Sequence, residues 1–190
     1  MGLGPQREAL EALGFDIVVA EESELIATAR RWHPDCVMTK LVYVVFVREV
    51  PRLSAAMIEQ DRAGLERRAR GLDSSALPNG FQKGVAVLSA YVADAVDEDA
   101  RRLCTSKPKT RFAFFFLPGA LDRSTREAHF LRSTPAWGAL YFSKFRFILE
   151  RVLKPGGTAP GSWPVSVGGA LLGGFLLLMT VLSLAMLFVR

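Results

Sequence analysis

The distribution of apolar residues divides the chain into two unlike parts. From Val165 to Val189 every residue is uncharged, and nearly all are apolar or small. Before that, apolar positions come in short runs and periodic patterns separated by polar turns. Gln6 to Leu13 has helical spacing and stops at Gly14. Phe15–Ala20 (FDIVVA) and Leu25–Ala29 are rich in β-formers. The acidic stretch Glu21-Glu22-Ser23-Glu24 between them suits a hairpin turn. Leu41–Val50 (LVYVVFVREV) is almost continuously apolar, the pattern of a strand buried on both faces, and Pro51 is expected to end it. Ser54 can cap a helix running to Arg70, with Ile58, Leu65, Ala69 and Leu72 inward and Gly71 as its stop. Val85–Ala93 predicts a further strand. A short helix opens at Asp97-Glu98-Asp99 and runs to Leu103. Arg111–Leu117 predicts a strand halted by Pro118-Gly119.

The next segment, Pro135 to Lys154, predicts a helix capped by Thr134 and followed by Gly156. Trp137, Tyr141, Phe145, Ile148 and Val152 share one face. Lys144, Arg146, Glu150, Arg151 and Lys154 lie mainly opposite. The aromatic face either packs on the sheet, the favoured reading, or lies on a membrane surface with its cations near anionic lipid. The whole pattern is an α/β fold: a mixed sheet flanked by helices, in the order αβββαβαβα, over residues 1–154. A Pro/Gly-rich linker follows at 155–164, then a transmembrane helix at 165–189.

The 25 residues of the apolar run would span about 37 Å as a helix, against a hydrocarbon core of about 30 Å. Trp163 before it and Arg190 after it suit the two interfaces, as do Arg151 and Lys154 upstream. Gly169 with Gly173, and Ala170 with Gly174, form small-xxx-small pairs that allow close helix association. Because almost nothing follows the run, a single-pass, tail-anchored arrangement is expected. Met1–Phe15 lacks the basic and apolar regions of a secretory signal.

Charge sharpens this expectation. Residues 1–122 hold 16 Lys/Arg and 17 Asp/Glu, whereas residues 123–154 hold 7 and 2. A near-neutral domain is therefore followed by a basic neck. This places the domain on the cytoplasmic side of a membrane and argues against nucleic acid as partner. The two cysteines, Cys36 and Cys104, have no motif spacing and fit reduced thiols.

The opening helix–three strands–helix–strand, over roughly the first 95 residues, resembles the core order of restriction-endonuclease-like folds. That family carries an acid on its second strand and an acid-x-Lys on its third, which hold a divalent metal and activate water. The resemblance would assign that role to Glu49 with Asp16, Glu24 or Asp35, although no lysine lies two residues after Glu49. No Walker loop, GxGxxG after a strand, HExxH or GxSxG motif occurs, and no cofactor or structural metal is implied. A Cys-His dyad would need Cys36 with His33, or Cys104 with His129. Arg67, Arg68 and Arg70 complement the dipole at a helix end. Lys107, Lys109 and Arg111 form the best candidate anion contact. The function expected from these features is a non-catalytic subunit or adaptor. Its partners would be the bilayer, a membrane or cytoplasmic protein, and a second copy of itself. The alternative is a membrane-tethered, metal-dependent nuclease-like or nucleotide-acting enzyme.

Overall fold

A computed structural model describes residues 2–33, 39–72, 83–108, 114–135 and 139–156. The elements run α1 (Gly4–Ala12), β1 (Asp16–Ala20), β2 (Glu24–His33), β3 (Thr39–Leu53), α2 (Ala55–Leu72), β4 (Lys83–Val96), α3 (Glu98–Thr105), β5 (Phe114–Asp122), β6 (Glu127–Phe130) and α4 (Ala139–Leu153). This is an α/β fold with one six-stranded mixed sheet, in which the strands lie side by side in chain order.

β1, β2 and β3 form an antiparallel meander. β3, β4 and β5 are parallel, and β6 returns antiparallel to β5. Each parallel step needs a crossover, which α2 and α3 supply. Both crossovers step the same way along the sheet. The right-handed rule therefore puts both helices on one face. There Ile58, Leu65 and Ala69 of α2 and Ala100 and Cys104 of α3 pack on Val42, Val44, Phe46, Val85 and Val87. α1 and α4 cover the other face, where Leu10, Phe142, Phe145 and Ile148 meet Leu41, Tyr43, Val45 and Val47. Alternate residues of β3 thus enter two cores, as its unbroken apolar run requires.

Local sequence accounts for most boundaries. The Ser54 hydroxyl accepts the Met57 N–H at 3.3 Å and caps α2. Gly14, at φ 72°, closes the turn after α1. Arg31 of β2 donates to the Leu13 and Gly14 carbonyls there. The acidic hairpin forms between β1 and β2, with the Glu21 N–H bonded to the Glu24 carbonyl at 2.8 Å.

Several expectations change. Pro51 does not end β3, and Pro118-Gly119 does not end β5. In each case the proline lies where its strand has a ladder partner on one side only. β2 pairing with β3 stops at Arg48, and β6 pairing with β5 starts at Gly119. A missing N–H is tolerated at such a position. β2 runs on past Ala29, where its β-rich stretch was read to end, and takes in Trp32 and His33 as its last residues. β6 was not anticipated and makes the order αβββαβαββα. Four residues are too few to carry a pattern. The strand is set instead by Asp122, whose Oδ1 accepts the Ser124 N–H (3.0 Å), the Ser124 hydroxyl (2.6 Å) and the Thr125 N–H (3.4 Å), which turns the chain back.

The aromatic face of α4 packs on the sheet, the first of the two readings. Phe145 is fully buried, with ring centroids 5.1 Å from Phe115, 5.5 Å from Phe142 and 6.0 Å from Tyr43. Burial extends further round the helix than its charge pattern suggests. Lys144, expected on the solvated side, is only 2% exposed. Arg146 reaches the segment before the helix, donating to the Ser133 carbonyl (3.0 Å) and the Thr134 hydroxyl (3.1 Å). Gly119 lets α4 approach β5: a Cβ there would sit 3.0 Å from Leu153 Cδ1 and 3.3 Å from Phe130 Cβ.

Phe145→Ala should therefore cost about 4 kcal/mol of stability, the range for truncating a buried aromatic. Urea unfolding should show the loss as a lowered midpoint with little change in slope.

Candidate functional site

Two clusters of polar side chains stand out, one beneath α2 and one at the rim of the sheet. The first lies under α2. Arg48 donates to Glu24 Oε2 at 3.0 Å and to Asp61 Oδ2 at 2.6 Å. Arg68 donates to Glu24 Oε1 at 2.7 Å, and the Tyr91 hydroxyl donates to Asp61 Oδ2 at 3.2 Å. Register makes the cluster possible. Glu24 opposes Arg48 across β2–β3, and Arg48 opposes Tyr91 across β3–β4. All three therefore share the α2 face, where Asp61 and Arg68 descend from the helix. Glu24 and Asp61 are about one-sixth exposed, at 17% and 16%. Burial opposes ionisation of Glu24, but hydrogen bonds from Arg48 and Arg68 outweigh it and hold the carboxyl below its ordinary value. Burial, with the Asp61 carboxylate nearby, holds the Tyr91 hydroxyl above its ordinary value.

The second cluster forms the rim at the C-terminal ends of β3, β4 and β5. Arg123 bridges Glu49 at 2.5 Å and Asp94 at 3.3 Å. Arg52 pairs with Asp97 at 2.7 Å. Arg101 of α3 pairs at 2.8 Å with Asp122, whose side chain is 1% exposed. Burial raises the Asp122 carboxyl, yet the bonds from Ser124, Thr125 and Arg101 together hold it below its ordinary value. In open α/β sheets this end of the strands is where ligands bind. Here it presents arginine–carboxylate pairs, with Arg52 72% and Asp94 66% exposed.

The acids named from sequence do not converge. Glu49 follows Arg48 in β3, so its side chain leaves the opposite face of the sheet from Glu24. Asp16 is exposed on the edge strand, two strands from β3, and Asp35 lies outside the described residues. Among the described residues no group of three His, Cys, Asp or Glu could hold a metal ion. Arg68, read from sequence as complementing the helix dipole, is instead a partner of Glu24. Burial pushes the Cys104 thiol up to about 12, so it supplies little thiolate to a dyad with His129. Of the anion-contact residues, Lys107 is exposed just after α3, while Lys109 and Arg111 lie outside the described residues. So do Cys36, Trp163, Gly169, Ala170, Gly173, Gly174 and Arg190. Among the described residues no helix is long and apolar enough to cross a membrane.

Sequence reading missed Arg48, Asp61, Tyr91, Asp122 and Arg123. One signal was present: an arginine within an apolar strand, with Ser89 and Tyr91 two apart in another. No protein-family model matches the chain, and no curated protein is significantly similar to it.

Two outcomes follow from these environments. Glu24 and Asp122 have lowered carboxyl pKa values in the fold. Their stabilisation is complete above the ordinary carboxylate range and is lost as pH falls from about 4.5 through those lowered values. Asp122→Asn and Glu24→Gln should each reduce stability at neutral pH. Each should also flatten its decline in acid, as read by urea unfolding at a series of pH values. In a Cys36→Ser background, Cys104 should resist alkylation at pH 8 while folded and react within minutes once unfolded. Rapid labelling of the native protein would show that the thiol is accessible.

Proposed function

We propose that this chain is a membrane-held binding module: a non-catalytic subunit or adaptor whose α/β domain docks a protein partner at the cytoplasmic side of a bilayer. The observation that carries the reading is the rim at the C-terminal ends of β3, β4 and β5. Its half-open arginine–carboxylate pairs, Arg52–Asp97 and Arg123–Glu49–Asp94, offer donors and acceptors of both signs to a complementary protein surface. Arginine is the charged residue most favoured in such interfaces. The tail supports the same reading. α4 is locked into the core, and the ten linker residues 155–164 reach at most about 35 Å. An anchor at 165–189 would therefore hold the rim close to the membrane, where Gly169 and Gly173 could add self-association.

A second reading draws on topology. The β1–β2–β3 meander, with β4 joined in parallel through α2, follows the core order of restriction-endonuclease-like folds. On that frame Glu24 is the acid of the second strand, but its carboxylate is held by two arginines. We favour a binding role for such a domain over a reaction centre.

The test is to extract the full-length protein in mild detergent and identify what accompanies it by mass spectrometry. Wild type would be compared with Arg52→Glu and Asp94→Lys, two exposed substitutions. A stoichiometric partner retained by wild type and depleted by both variants is expected. A pure homo-oligomer indifferent to both would overturn the rim as a docking surface.

A further inference from the structure

A separate cavity of about 80 Å³ opens between α2 and α3, on the same face as Glu24 but away from it, over β5. Its apolar wall is made by Ile58, Leu103, Phe116 and Pro118. Two cations border it. Lys107 sits at the mouth, just past the end of α3. Arg62 lies deeper, its side chain 16% exposed, with the guanidinium over the Phe116 ring at 5.2 Å from the centroid. Among the described residues the one acid in the lining is Glu59, which is 47% exposed and stands 3.7 Å from Arg62 Nη1. That distance is longer than a hydrogen bond. Among the described residues the ion pair to Glu59 thus leaves the guanidinium's planar fork without a hydrogen bond, in an apolar setting where a charge-assisted bond is strong.

We infer that this cavity is a binding site for a short-chain organic carboxylate, with its alkyl end against Ile58, Leu103 and Phe116 and its carboxylate on Arg62 and Lys107. Charge selects the ligand class. The lining carries two cations against one partly solvated acid; its other polar side chain is Ser106, whose hydroxyl donates to the Leu103 carbonyl at 2.9 Å, and the rest of the lining side chains are apolar. An inorganic anion would leave that wall bare, and an uncharged chain would leave the cations unused. Size sets the length. The volume is roughly half the ~150 Å³ of a cavity that admits benzene, which suits a tail of a few carbons. The site shares no residue with the rim proposed to dock a partner, so either assignment can fail without the other.

The experiment uses the full-length chain in detergent micelles, labelled at the isoleucine δ1 methyls. Ile58 lines the cavity, whereas Ile17 belongs to β1, Ile26 to β2, and Ile148 lies on the other face of the sheet. Butyrate is the probe, with inorganic phosphate and 1-butanol as its two halves. Butyrate should shift the Ile58 methyl saturably and leave Ile148 unmoved. Phosphate or butanol should need at least about tenfold higher concentration for the same shift. Arg62→Gln should weaken butyrate about tenfold or more, the worth of one charge-assisted hydrogen bond, with Arg62→Lys intermediate. Lys107→Gln, at an exposed position, should weaken it about threefold and serves if Arg62→Gln disturbs the other methyl signals. An unmoved Ile58 would overturn the assignment. So would phosphate or butanol binding as well as butyrate, or undiminished affinity in a folded Arg62→Gln or Lys107→Gln variant.

Discussion

Everything in this fold follows from the need to cover β3 and its parallel neighbours on both faces. Val42, Val44 and Phe46 point to one side, and Leu41, Tyr43, Val45 and Val47 to the other, all at most 3% exposed. A strand so apolar cannot face water on either side. One helix layer comes automatically, because the parallel steps β3–β4 and β4–β5 are made through α2 and α3. The other must be recruited from the two ends of the domain. α1 begins it and α4, from the far end of the described chain, completes it. The segment that closes the core is therefore the same one that leads to the linker and the long apolar run.

That arrangement explains where the charges went. Once both faces are covered, ionisable groups can sit only at the margins of the sheet or in satisfied clusters within it. The cluster of Glu24, Arg48, Asp61, Arg68 and Tyr91 is of the second kind, and each carboxylate in it accepts at least two hydrogen bonds. The rim is of the first kind. Its outer pairs, Arg52–Asp97 and Arg123–Asp94, are more exposed, contribute less to stability, and are free to exchange partners with another surface. Arg62 belongs to neither cluster. It stacks on an aromatic ring beside an open cavity, a setting that suits recognition of a ligand more than support of the fold.

The strand-end prolines, the Asp122 turn and the two-sided β3 separate what local sequence governs from what it does not. Periodicity and capping residues determined that this is an α/β chain. They gave the three-strand opening, the helix after Ser54 and the aromatic helix with its inward face, because those signals act over a few residues along one backbone. Register is different. That Glu24 meets Arg48 and Tyr91 depends on how three strands separated by up to 67 positions align, and a shift by one residue would reverse the face. Pro51 and Pro118 looked like strand ends because a lone sequence does not reveal which edge lacks a neighbour. Glu49 and Glu24 looked like possible co-ligands because linear spacing does not reveal the face. Patterning along the chain specified every element except β6, and the two chemical halves of the chain. Which charges meet was left to the fold, since that is a property of strand pairing and of the helices laid across it.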